Sequence, residues 1–223
     1  MGISAARNFN LLFISLDLIW LCLFLALLWV FKRRTALVVG LTAGLFYFIV
    51  DYGYFYAALN TRVVTGGDTF WVLLWMSFSY GITNFAWIWI LLDRDENRLE
   101  WSLLIISAWV SIALLSQNFG GHTNTITTYR ETDAYHGIMA AILFVGYFTL
   151  IFHNLRCDPN EKIAIAPLLA IGIGVQFSWE AVLLLTGIRP SEWQPLVINA
   201  MIETNLGLPY TYLIHRAVKK RFS

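Results

Sequence analysis

Four carboxylic acids stand inside apolar blocks of this sequence: Asp17, Asp51, Glu180 and Glu203. A carboxylate at the middle of a bilayer costs at least ~2.5–3.5 kcal/mol on insertion scales, so it normally faces a bundle interior and has a role there. No Lys or Arg shares their apolar blocks. Ion pairs are therefore not expected. The acids read as neutral, hydrogen-bonded carboxyl groups or as acids facing water, and a neutral carboxyl group can hand a proton to a substrate. Asp17 lies close to an end of its block and reads equally as a partly hydrated structural group. For Asp51, Glu180 and Glu203 the expectation is a functional pocket, and a hydrogen-bonded structural role is the alternative. Tyr52, Tyr80, Asn84, Trp179, Asn199, Asn205 and Tyr210 fall at depths suited to lining the same pocket.

The elements that must position these acids are membrane spans. Of the 223 residues 58% are hydrophobic and 13% charged, against about half and about a quarter in soluble domains. Trp 10, Tyr 10 and Phe 16 supply the aromatics that anchor helices at bilayer interfaces. A helix needs about 20 apolar residues to cross the hydrocarbon core. Seven blocks qualify: Leu11–Phe31, Ala36–Leu59, Thr69–Leu92, Trp101–Gln117, Tyr135–Leu155, Ile163–Thr186 and Pro195–His215. The fourth is the weakest, shortened and diluted by Ser107 and Ser111. The first is longer than a secretory signal core and reads as a retained anchor. The breaks are short and polar, the longest running from Asn118 to Asp133, and none has room for a separate domain.

Seven spans divide the basic residues unequally. One side carries Lys32, Arg33, Arg34, Arg94, Arg98, Arg156, Lys162, Arg216, Lys219, Lys220 and Arg221; the other carries Arg7, Arg62, Arg130 and Arg189. Eleven against four puts the richer side in the cytoplasm, the N-terminus outside and the C-terminus inside. At about 1.5 Å per residue, all four acids then fall in the outer half of the membrane, which suggests one pocket opening outward.

The expected architecture is all-α: one domain over residues 1–223, with a parallel repeat of three spans, a linker span and three spans. Residues 11–98 and 135–221 would be the repeats and 101–117 the linker. Phe48 to Tyr52 and Phe177 to Ala181 each set an acid after an aromatic, apolar run, and Thr83-Asn84 matches Thr204-Asn205. Such halves are related by an axis along the membrane normal. Compositional likeness between apolar helices is the alternative.

Several chemistries are excluded. Two cysteines, Cys22 and Cys157, make no disulfide framework, and neither a zinc pattern nor a nucleic-acid surface is present. The last span lacks the lysine of a retinal protein. No phosphate loop, His-Glu-x-x-His or Ser-His-Asp set occurs. Asp133 and His136, with distant His122, have the types for a metal site, but a solvated loop explains them more simply. Neither metal nor cofactor is expected. Gly207 and Pro209 lie close to Glu203 and mark either a kink beside a site or plain bending.

At Asp51, Trp179-Glu180 and Glu203 the chain resembles the membrane-bound terpene cyclases of meroterpenoid and indole-diterpene pathways, in length, span count and loop size. That family carries a Trp-Glu pair in its second span and an Asp in its last. Here Val50-Asp51 and Glu203 stand at those places, and the Trp-Glu pair lies in the sixth span. The resemblance implies an acid-initiated, metal-free cyclisation of a polyprenyl chain. Glu203 or Asp51 would donate the proton, and Glu180 would position it or take one up at the end. Aromatic faces would stabilise the cations. The alternative is a proton- or cation-coupled transporter, or a ligand-binding membrane protein, built on the repeats. The expected partners are the bilayer and an apolar prenylated molecule or a transported solute, with no nucleic acid.

Overall fold

A computed structural model of the chain describes residues 6–130, 136–190 and 193–222. The helices are α1 (Leu11–Val30), α2 (Arg34–Phe48), α3 (Thr69–Tyr80), α4 (Ala86–Leu92), α5 (Arg98–Phe119), α6 (His136–Arg156), α7 (Ile165–Leu185) and α8 (Trp193–Phe222). Two π-helical stretches extend this set. Ile49–Ala58 continues α2, and Gly81–Phe85 joins α3 to α4. Among the described residues, five helical stretches are long and apolar enough to cross a membrane: Leu11–Val30, Arg34–Ala58, Arg98–Phe119, Gly137–Arg156 and Pro159–Leu185. The block expected to be weakest is among them, because α5 extends beyond both ends of the apolar run and its four serines leave most of its positions apolar.

The outward faces suit lipid. Helix α1 turns Phe13, Asp17, Trp20, Phe24 and Leu28 inward and leaves Leu18, Ile19, Leu23 and Val30 exposed. On α6, Phe144, Val145, Phe148, Ile151, Phe152 and Leu155 form one exposed stripe. Apolar surface of this extent is unsuited to water.

Two compact units make up the chain. The first is Met1–Thr132 with Ala181–Glu192, the second Asp133–Glu180 with Trp193–Ser223. The first contains a feature absent from the sequence expectation, a three-stranded antiparallel sheet in the order β1 (Arg7–Asn10), β3 (Thr125–Arg130), β2 (Arg62–Thr65). These segments read as loops because they are short and polar, yet Val63, Val64, Ile126, Thr127 and Thr128 are the β-branched types that suit a pleated ladder. The sheet stands at the end of the unit where α1 and α3 begin and where α2 and α5 finish.

Local chemistry joins sheet to helices. Asn10 ends β1 and caps α1, accepting from Phe13 N at 2.8 Å, while its Nδ2 donates to the Ser116 carbonyl of α5 at 2.9 Å. Asp68 caps α3 by accepting from Trp71 N. Asn8 N donates to the Ile188 carbonyl, which covers part of the free edge of β1. Between β2 and α3, Gly66 has φ +83°, and a Cβ there would run into the Thr125 carbonyl. At the opposite end, α1 and α4 finish on the left-handed residues Lys32 and Arg94. The two turns are clasped by an Arg33–Asp95 ion pair.

Small residues bring the helices close. Gly40 and Gly44, one turn apart on α2, meet Ile82 and Phe78, and Gly81 lies against the backbone of Ala43 and Gly44. This is the small-xxx-small contact of membrane helices. In the second unit, Gly146 of α6 meets Pro209 and Tyr210 of α8, and Gly172 of α7 meets Asn205 and Leu208.

Gly81→Ala should destabilise the protein by about 1–3 kcal/mol, the usual cost of overpacking. Gly53→Ala, with nothing within 4 Å of its Cβ position, should stay within about 0.5 kcal/mol of the native protein. Thermal unfolding in detergent checks both.

Candidate functional site

The second unit holds a buried polar network around Glu180. Gln176 lies one turn earlier on α7, and its Nε2 donates to Glu180 Oε1 at 3.2 Å. Asn199 of α8 donates to the same oxygen at 3.3 Å. Thr204 Oγ donates to Gln176 Oε1 at 2.7 Å, which turns the Gln176 amide so that its nitrogen faces the acid. Beside this chain, Tyr147 of α6 donates to Asn205 Oδ1 at 3.0 Å, and Asn205 Nδ2 donates to the Ala200 carbonyl. Glu180, Gln176, Thr204 and Asn205 are wholly buried. Pro209 lies inside α8 and has no N–H, so the Asn205 carbonyl receives no bond from four residues on.

Three helices are needed to assemble this set. Glu180 and Gln176 share a face of α7 because they are four residues apart. Asn199, Thr204 and Asn205 come from the first half of α8, and the Gly172 contact brings that part of α8 against α7. The network thus gathers the predicted Glu180, Asn199 and Asn205, and adds Gln176, Thr204 and Tyr147. The i, i+4 spacing of Gln176 and Glu180 was the available signal for the first of these. Trp179 is buried next along α7. Tyr210 is instead part-exposed and straps α8 to α6 through its hydroxyl on the Ile142 carbonyl at 2.9 Å. The side chain of Glu203 lies outside the described residues, as do Asp133 and the side chain of His136. His122 is exposed.

Asp51 corrects an expectation. The absence of intramembrane cations argued against an ion pair, yet Asp51 Oδ2 lies 3.1 Å from Arg62 and Oδ1 lies 3.7 Å from Arg130. The sheet explains this. Arg62 and Arg130, counted only as loop charges, are cross-strand partners in β2 and β3. Side by side they would repel, and Asp51 offsets that repulsion. Arg62 is buried and also approaches Met76 Sδ at 3.6 Å. The Arg130 guanidinium lies over the Phe55 ring. Asp51 is therefore a charged clasp between the π-helical end of α2 and the sheet.

Asp17 is wholly buried and accepts from Trp75 Nε1 at 2.8 Å, tying α1 to α3. Tyr52 packs among Phe48, Tyr56 and Phe70, and Tyr80 packs edge-on against Tyr47. Asn84 is buried in the π-helical turn of the α3–α4 run. Asp17, Asp51, Tyr52, Tyr80 and Asn84 belong to the first unit, and Glu180, Trp179, Asn199, Asn205 and Tyr210 to the second.

Asp51→Asn leaves a buried Arg62 without its carboxylate and should cost about 3–5 kcal/mol. Arg130→Gln should cost clearly less, because the 3.7 Å contact is longer and Arg130 is more exposed. Paired unfolding curves of the two variants check the ranking.

No family model, curated protein or solved structure matches this chain.

Proposed function

We propose that this chain is a seven-span membrane protein that uses Glu180 as a proton donor in the metal-free cyclisation of a polyprenyl substrate. The five membrane-length helices are joined in this reading by two further crossings. One is the continuous helical run from Thr69 to Leu92, and the other is α8, whose last turn carries Lys219, Lys220 and Arg221. The eleven-to-four division of basic residues sets the N-terminus and the sheet outside and the basic C-terminus in the cytoplasm. The threefold repeat on each side of a linker span belongs to the same reading.

The observation that carries the chemical proposal is the bonding of Glu180. Two amide nitrogens donate to Oε1 of this wholly buried acid, which fixes the carboxyl group in an orientation from which this reading has it act as the acid. Asp51 is engaged by two arginines, and this reading places the role of acid on Glu180 instead. The proton passes from the Glu180 carboxyl group to an epoxide oxygen or alkene carbon, and the substrate's own double bonds attack the cation. Loss of a proton from the final cation returns one to the carboxylate. The net change is an isomerisation that consumes no co-reactant. This reading agrees with the resemblance to membrane-bound terpene cyclases.

One observation favours a second reading, a proton-coupled transporter. Pro209 leaves the Asn205 carbonyl without its helical partner beside the acid, and interrupted helices mark substrate sites in transporters. The two readings separate in one comparison. Glu180→Gln in membranes given a terminally epoxidised farnesyl alcohol should abolish cyclic product while folded protein remains. Native protein that yields no cyclic product but drives solute uptake into vesicles under a proton gradient would favour the transporter.

The topology has its own test. In a Cys22→Ser background, a membrane-impermeant maleimide should label Cys157, in the α6–α7 connection, in inverted vesicles and not in right-side-out ones. Labelling from the outer side would overturn the orientation.

A further inference from the structure

We infer that Asn84 binds the hydroxyl of an apolar, alcohol-bearing ligand within the first unit. Asn84 is 1% exposed, and neither its Nδ2 nor its Oδ1 has a hydrogen-bond partner. The other two buried asparagines among the described residues, Asn199 and Asn205, are both bonded. So is the neighbouring Thr83, whose hydroxyl donates to the Ser79 carbonyl at 2.5 Å. A buried amide left without partners has given up its bonds to water and gained none in return. Leucine, of nearly the same shape, would remove that cost. A position that breaks the rule of polar satisfaction points to use rather than to packing.

A second observation is the backbone. Asn84 sits in the π-helical turn Gly81–Phe85, all five residues of which are buried. Single π-helical turns inside α-helices recur at functional sites, where the widened turn redirects a side chain. The turn occurs where Gly81 meets the backbone of α2, so close helix packing holds it in place.

The chemistry of the ligand follows from the amide. One face donates and the other accepts, so the matching group must do both, and an alcohol does. The rest of the ligand must be apolar, because Ile82, Phe85, Trp87 and Ile88 around this turn are buried hydrophobic residues. This inference rests on the proposed function only in taking a prenyl chain as the apolar body.

The test uses the full chain in lipid nanodiscs and three probes: farnesol, its methyl ether and the saturated hydrocarbon farnesane. Farnesol should raise Tm, the ether, which only accepts, should raise it less, and farnesane should leave it unchanged. Asn84→Leu should unfold at a higher temperature than native without ligand and lose the farnesol-dependent shift. Asn84→Ala provides the same readout should the leucine variant fail to fold, with farnesol binding weakened about tenfold, the equivalent of one lost hydrogen bond. An undiminished farnesol shift in either variant, or equal shifts from all three probes, would overturn the assignment. Glu180→Gln should keep the farnesol shift. Product formation by that variant would therefore remove Glu180 as the proton donor alone and leave Asn84 as a binding residue.

Discussion

Within hydrocarbon a polar group has no water to turn to, so it must be met by another part of the same chain. The structure is organised around that requirement. Glu180 is met by Gln176 and Asn199, Asp17 by Trp75, and Asp51 by two arginines. Trp75 and Arg130 reach their acids from far along the sequence, while Gln176, Asn199 and Arg62 come from the same or the next element. The acids that look like isolated liabilities in the sequence are thus the joints of the bundle.

The two polar centres of the first and second units are built differently. At Asp51 the partners are full charges delivered by a sheet. At Glu180 two amide nitrogens donate to Oε1, and the Gln176 amide is itself oriented by the Thr204 hydroxyl.

Much of the helical framework was legible because apolar runs bounded by charges have few other readings. Leu11–Val30 and Arg98–Phe119 emerge as membrane-length helices close to the expected limits. The network residue Gln176 could have been found from its spacing to Glu180. The partners of Asp51 could not have been found that way. Arg62 and Arg130 reach it only because β2 and β3 pair, and strand pairing between distant segments leaves no periodic mark in so short a run. The β-branched residues of Val63–Thr65 and Thr125–Thr128 were the sole local hint. The π-helical turn Gly81–Phe85 was equally hidden, since it occurs where Gly81 meets the backbone of α2, a contact between segments that no local preference announces.

The strand order carries a consequence for how the molecule is made. β3 is the central strand, and both β1 and β2 pair only with it. A chain emerging from the ribosome therefore completes β1, α1, α2 and β2 while neither strand has a partner. Arg62 likewise reaches the growing molecule well before the strand that aligns it. Biogenesis must shelter two open ladder edges until α5 has been inserted and Thr125–Arg130 threads between them. A nascent intermediate halted before that point is the species most exposed to misassembly.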